Sequence, residues 1–226
     1  MRTLHPGAHA ALLVFGVTLA VSAQQPGSHP ISGRVFAGVM SYQGADWLDR
    51  PEREEEEEPD DAIAALNVQR GDIVADVGAA SGFMSEKLSR KVGPTGKVYA
   101  EDIQPEMLDL LRVRMTRQKL TNIVPVLGTV DDPKLPAGTL DLELMVDVYH
   151  EFQRPVAMVD HLRDALKTGG RMVLVEYRKE DPTIPIQLAH KMTVADAKME
   201  VEAQHFTLTK VDERLPRQHI LIFTKQ

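Results

Sequence analysis

From residue 71 onward, short apolar runs alternate with helix-length segments, and this alternation limits the chain more than any other feature. Strands are expected at residues 73–77, 97–101, 123–127, 140–146 and 171–176, with helices at 83–91, 105–118 and 155–166 between them. Pro105 suits a first helical turn, and Gly169-Gly170 closes the third helix. Strands separated by ten or more helical residues pair in parallel, so the expected class is α/β, a mostly parallel sheet with helices on both faces. The tail departs from this rhythm. Residues 187–202 read as helix, and strands at 206–212 and 219–223, separated by Pro216, are close enough to form an antiparallel C-terminal hairpin. The expected sheet has seven strands, and there is no internal repeat.

The 226 residues are 43% apolar and 26% charged, which suits one domain with an ordinary core. Without a cysteine there is no disulfide framework, no cysteine zinc site, no cysteine nucleophile and no thiol for metalloid chemistry. The formal net charge is −7, and residues 49–61, with nine acids and two arginines, carry all of it. The remainder is neutral and has no dense basic cluster, so no nucleic acid is expected as a partner. Arg2, an apolar run at residues 10–20 and Val21-Ser22-Ala23 have the layout of a signal peptide, residues 1–23, cleaved before Gln24. That run is too short for a stable span, so no stable membrane insertion is expected after cleavage, and the compartment is secreted or periplasmic. An uncleaved anchor, an inefficient signal or a start further downstream are the alternatives, the last two leaving the chain in the cytoplasm. Residues 24–60 form a linker and N-terminal lid: a flexible polar stretch at 24–30, an arm carrying Met40, Tyr42 and Trp47, and a solvated acidic helix at 52–58. Residues 61–226 are the main domain, opening with a helix at 61–66.

The most informative segment is Ile73-Val74-Ala75-Asp76-Val77-Gly78-Ala79-Ala80-Ser81-Gly82-Phe83. A buried strand brings Asp76 to its C-terminal end, and Gly78, Ala79, Ala80 and Gly82 make a small-residue turn into a helix. Such a turn lets a ligand approach the backbone, in the crevice where parallel sheets bind ligands. The dinucleotide fingerprint Gly-x-Gly-x-x-Gly is absent, since Ala80 and Phe83 occupy its second and third glycine positions. The second strand ends in Glu101-Asp102-Ile103, where one acid can hold both hydroxyls of a ribose. Strand alternation lets only one of the two acids face the pocket. Asp102 is the choice, with Ile103 packing against a base.

On these motifs residues 71–177 resemble the class I S-adenosylmethionine-dependent methyltransferases, in particular the small-molecule branch of the ubiquinone/menaquinone C-methyltransferase type. The resemblance implies a Rossmann-like seven-stranded fold, S-adenosyl-L-methionine as cofactor and in-line methyl transfer to a small-molecule acceptor, by a monomer or a homodimer. Asp76 to Gly82 is similar to the family's acid-x-Gly-x-Gly-x-Gly motif, with Ala80 at its middle glycine. Asp102 falls on the ribose acid. Thr129 and Asp131 follow the third strand, where the family reads the adenine, with Asp132 competing for the role. Asp147 falls at the fourth strand tip, where the methionine part lies. Leu166 to Arg171 matches the turn before strand five.

Methyl transfer needs a base only when the nucleophile carries a proton. Tyr149-His150-Glu151 follows the fourth strand, and these are the catalytic candidates: His150 as base or hydrogen-bonder, Tyr149 orienting substrate, Glu151 holding the imidazole. Capping of the following helix is the structural alternative for His150 and Glu151. Glu176, Tyr177 and Arg178, after strand five, could bind a polar substrate group or simply form surface ion pairs. Outside the signal no histidines are four residues apart and no third ligand is visible, so no metal is expected. Three functions compete: an active methyltransferase, an idle methyltransferase fold that binds the cofactor or a nucleoside, and another Rossmann-like enzyme such as an oxidoreductase. The absent glycines count against the last. An open, apolar cavity beside Tyr149 and His150 would favour the first over the second.

Overall fold

The computed structural model describes residues 27–226, so the expected signal peptide, its cleavage site and residues 24–26 lie outside the described residues. The strands are β1 (Ile73–Val77), β2 (Lys97–Asp102), β3 (Ile123–Leu127), β4 (Leu140–Val146), β5 (Leu166–Tyr177), β6 (Phe206–Asp212) and β7 (Gln218–Lys225). The helices are α1 (Ala45–Leu48), α2 (Arg53–Glu57), α3 (Pro59–Ala65), α4 (Phe83–Val92), α5 (Pro105–Gln118), α6 (Pro155–Ala165) and α7 (Val194–Glu202). One sheet contains all seven strands in the order β3-β2-β1-β4-β5-β7-β6. The pairs among β1 to β5 are parallel, and β7 runs antiparallel to both β5 and β6. The hairpin therefore adds by inserting β7 next to β5, with β6 outside it.

Side-chain alternation along each strand builds two cores, one on each face of the sheet. Val74, Leu142, Leu144, Val173, Val175, Ile220 and Ile222 pack with Leu66, Leu88 of α4 and Leu111 of α5. Ala75, Val77, Met145, Met172, Leu174, Leu221 and Phe223 pack with Leu162 of α6 and Val201 of α7. Both faces are covered, which is why the strands read as continuous apolar runs. The strand order reverses between β1 and β4, and the C-terminal tips of these two strands open the crevice that such sheets use for ligands.

Four local expectations change. Gly169 and Gly170 do not close α6, which ends at Ala165: β5 already begins at Leu166 and contains both glycines, so Leu166 to Arg171 is strand and not the turn before it. The stretch at 24–30 is not simply a flexible linker: Ser28 bridges Val35, and His29 is 1% exposed beside Glu200. The 187–202 helix is broken: a short 3-10 turn, Leu188–His190, precedes α7, whose cap Thr193 accepts from Asp196 N–H. The acidic helix is only partly solvated. Glu57, 4% exposed, takes Nε of Arg53 at 2.6 Å, Nη2 of Arg50 at 3.0 Å and the Tyr177 hydroxyl at 2.8 Å. A pattern of exposed glutamates hides the one that a buried tyrosine and two arginines claim.

Candidate functional site

A cavity of about 380 Å³ lies over the tips of β1, β2 and β4. The arm forms part of its wall through Val39, Met40, Trp47 and Leu48. It is fastened at two places. Gln104 donates to Met40 O at 2.9 Å and accepts from Tyr42 N–H at 2.9 Å. Arg34 donates twice to the buried Glu200, at 3.0 and 2.9 Å, and once to His150 O at 3.0 Å. Met40 and Trp47 reach the cavity, whereas Tyr42 stays outside it and is 41% exposed.

The turn after β1 is shaped by backbone conformation. Gly78, Ala80 and Gly82 all have positive φ, at 69°, 49° and 86°. Gly78 and Gly82 lack the Cβ that would collide, with Val148 at 2.6 Å in the first case and Leu111 at 2.3 Å in the second. Gly78, Ala79 and Ala80 line the cavity, while Gly82 instead lets α5 pack against the turn. Ala80 carries a left-handed strain that glycine would not, worth about 1 kcal/mol. Ala80→Gly should therefore raise stability by about that amount in urea unfolding, with the ligand-free cavity unchanged.

Both acids at the end of β2 line the cavity, which corrects the expectation that alternation admits only one. Asp102 is the last residue of β2 and still pairs with Leu127, and at this strand tip the cavity reaches the side chains of both acids. Asp102 accepts from Ala80 N–H at 2.9 Å and from Gln104 N–H at 2.8 Å, and burial holds its carboxyl above the usual range against those bonds. Glu101 folds beneath the turn, accepting from Gly78 N–H at 3.3 Å, with Oε1 buried and unpaired. Burial pushes it up to about 8. Asp76 accepts from Ser85 Oγ at 2.5 Å and is pushed by burial up to about 6. Asp147, with φ 55°, accepts from Gln218 at 2.7 Å and keeps Oδ1 buried and unpaired. Burial, then the charges of Glu57 and Glu176, hold it well above the carboxylate range. Ile103 and Thr129 are in the wall. Asp131 is not: it accepts the Thr129 hydroxyl at 2.8 Å, outside the lining.

The segment after β4 divides. Tyr149 is fully buried and absent from the cavity wall, which corrects its expected role in orienting substrate. It packs against Phe152 with ring centroids 5.6 Å apart, its hydroxyl 3.5 Å from His29, because the 3-10 turn Tyr149–Glu151 directs it into the core. His150 lines the cavity, and Glu176 of β5, not Glu151, holds it: Nδ1 lies 2.6 Å from Glu176 Oε2. Its Nε2 is 3.0 Å from His190 Nδ1, and Glu151 Oε1 stands 3.7 Å from that same nitrogen. Burial pushes Glu151 up to about 7 and lowers His190. Of the trio after β5, Glu176 is a buried partner, Tyr177 reaches the cavity, and Arg178 is tied outside it to Glu213 at 2.7 Å.

Sequence reasoning does not single out His190 or Arg53, both in the cavity wall. One signal was available for His190: it lies in the connection after β5, and connections leaving the C-terminal strand ends are where parallel sheets place their sites. Arg53 had none, since its helix reads as a charged surface.

Comparison with known proteins agrees with this architecture. Residues 74–170 match a family described as "Methyltransferase domain". The ubiquinone/menaquinone biosynthesis C-methyltransferases UbiE of Salmonella arizonae and Salmonella newport are each 33% identical over 125 residues, covering 52% of this chain and 47% of theirs. The chain thus spans about half the length of these curated relatives. A SAM-dependent methyltransferase structure from Aquifex aeolicus superimposes with a TM-score of 0.79 at 23% identity, over 83% of this chain and 100% of that one. A structure described as a putative O-methyltransferase from Nostoc punctiforme gives 0.67 at 17% identity, over 81% and 60%. The strand order and these solved structures show a Rossmann-like methyltransferase fold, and residues 74–170 of the chain match the methyltransferase-domain family.

Proposed function

We propose that the protein transfers a methyl group from S-adenosylmethionine to a small-molecule acceptor seated beside His150. The carrying observation is one open cavity whose wall combines the acids at the tips of β1, β2 and β4 with an imidazole held by a buried carboxylate. An idle fold would need no such space beside His150.

The residues present fit the cofactor. Six carboxyl groups line the cavity (Glu57, Asp76, Glu101, Asp102, Asp147 and Glu151) against a single arginine, Arg53, and this surplus suits a cationic ligand. The unpaired oxygens Glu101 Oε1 and Asp147 Oδ1 are buried acceptors that a ligand's hydroxyl and ammonium donors can satisfy. Asp102, Glu101 and Ile103 would hold the nucleoside, the Gly78–Ala80 turn would follow the chain beyond the ribose, and Asp147 would take the amino group. When bound, S-adenosylmethionine supplies a methyl carbon made electrophilic by its sulfonium.

The chain's own part is placement, water exclusion and proton handling. Met40, Trp47, Met84, Phe152 and Met158 make an apolar lining that keeps water from the reacting groups. With Nδ1 donating to Glu176, His150 presents Nε2 as the basic nitrogen, able to accept a proton from a hydroxyl, thiol or acidic carbon. Glu176 is a positioning residue, fixing the tautomer.

Calorimetric titration of the protein with S-adenosylmethionine and S-adenosylhomocysteine tests the reading. Micromolar binding, weakened at least tenfold in Asp102→Ala, is expected, since that change removes a charge-assisted acceptor from the ribose. No heat from either ligand with folded protein would sink the assignment of activity. Binding without methyl transfer to any small acceptor would favour the idle alternative.

A further inference from the structure

We propose that His150, Glu151 and His190 form a binding site for one divalent transition-metal ion in the cavity wall. Each offers one donor atom, and the three atoms all lie within 4.8 Å of one another. His150 Nε2 and His190 Nδ1 are 3.0 Å apart, and His190 Nδ1 and Glu151 Oε1 are 3.7 Å apart. Two donors each about 2.1 Å from one ion stand about 3.0 Å apart at right angles and about 3.4 Å apart at the tetrahedral angle. The two nitrogens already hold adjacent corners, and Glu151 needs only a small side-chain adjustment to reach a third.

A second observation points the same way. The far nitrogen of His150 lies 2.6 Å from Glu176 Oε2, and neither side chain is more than 1% exposed. A buried carboxylate on the opposite nitrogen is the arrangement that orients a metal-binding histidine, because it fixes Nδ1 as the protonated nitrogen and aims the lone pair of Nε2 outward. That lone pair faces His190. Two facing imidazole nitrogens must share either a proton or a cation, and the carboxyl-rich wall favours a cation of higher charge. The donors converge from the turn after β4 and the 3-10 turn after β5, so they are brought together only by the parallel pairing of those strands.

Two imidazoles and one carboxylate suit zinc, cobalt, iron or manganese, whereas calcium takes six or more oxygens. Three protein ligands leave a coordination position open, and all three residues line the cavity, so the open position is available to a hydroxyl-bearing small molecule. The site stands on this geometry alone and does not rest on the methyl-transfer reading; with the ion bound, Nε2 of His150 is a ligand, and its role as a base belongs to the metal-free protein.

The test is titration of chelator-treated, untagged protein with Co2+ and Zn2+. Visible absorption reports the cobalt ligand field, and elemental analysis gives the stoichiometry. One equivalent bound at micromolar affinity or tighter is expected, with His190→Ala weakening it at least 100-fold and Glu176→Gln 10- to 100-fold. Glu151→Gln is the second ligand variant should His190→Ala misfold, with circular dichroism as the check. His219, whose nitrogens lie 2.6 Å from Glu213 and 3.0 Å from Glu180, provides the control, and His219→Ala should leave binding unchanged. Absence of saturable binding by the folded protein would overturn the site and leave a hydrogen-bonded imidazole pair. Binding that survives both ligand variants, or that disappears with His219→Ala, would overturn it equally. Cobalt binding without any S-adenosyl ligand binding would retain the ion site and dismiss only the transfer reading.

Discussion

Gly78→Ala is expected to destabilise the fold by about 2–5 kcal/mol and to weaken S-adenosylhomocysteine binding at least 100-fold. Two separate penalties combine. At φ 69° any Cβ enters the left-handed region, which costs about 1–2 kcal/mol for a residue with a side chain. The added carbon would also stand 2.6 Å from Val148 Cγ2 and 2.7 Å from Cγ1. Valine is stiff at χ1 and cannot swing both methyls away, so the overpacking adds about 1–3 kcal/mol. Relief by moving the turn would disturb the two bonds that shape it, Gly78 N–H to Glu101 and Ala80 N–H to Asp102. Urea unfolding and calorimetry check both effects. The double variant Gly78→Ala/Val148→Ala separates them, because it removes the collision and keeps the backbone strain. Unchanged ligand binding in Gly78→Ala would mean that this turn does not cradle the cofactor.

Most of the fold was legible because it is written in local periodicity. The ranges of β1, β3, β4 and α5 follow from apolar runs, Pro105 and the flanking turn residues, and each strand's alternation assigns its side chains to one of the two cores. Asp76, Gly78 and Asp102 were legible for the same reason: they sit at strand tips, and a parallel sheet puts its strand tips in one crevice. What was not legible is long-range or depends on the path of a single turn. Glu176 and His150 are 26 residues apart, and His190 a further 40 from His150, so no spacing rule connects them. Glu151, adjacent to His150, was the nearer choice for its partner, yet the strand pairing of β4 with β5 brings Glu176 to the imidazole instead. Tyr149 went wrong because a single 3-10 turn reverses which side chain faces the crevice. Glu57 went wrong because composition reports the average exposure of a run and not the burial of one member.

The protein should lose stability as pH rises from about 5 to about 8, and Glu101→Gln should remove the part of that loss that Glu101 contributes. Glu101 has an ordinary value of 4.5 and is pushed by burial up to about 8 in the fold, with the neighbouring Asp102, Asp76 and Asp132 charges adding to the effect. Between those values the folded protein keeps a proton that the unfolded chain has released. Each pH unit in that window therefore costs the fold about 1.4 kcal/mol, and above about 8 the cost stops growing. Asp76, pushed up to about 6, adds a shorter slope with the same sign, from its ordinary 3.8. Carboxyls held low by ion pairs, such as Glu86 and Glu213, act in the opposite sense, but their contribution is complete once the unfolded acids have ionised. Glutamine keeps an acceptor for Gly78 N–H and places an uncharged group at the buried, unpaired Oε1 position. Its stability should decline less steeply than the parent's, because Asp147, Glu151 and Asp76 keep their own slopes of the same sign, with the largest gain at pH 8 and almost none at pH 5, in urea melts at both values. An equal gain at both would show that Glu101 is ionised throughout and that its burial is compensated by a partner. The same linkage predicts how ligands behave: S-adenosylmethionine, one positive charge richer than S-adenosylhomocysteine, should raise the melting temperature more at pH 8 than at pH 6. In Glu101→Gln that difference between the two ligands should shrink, because one of the carboxylates that the sulfonium would offset is no longer there.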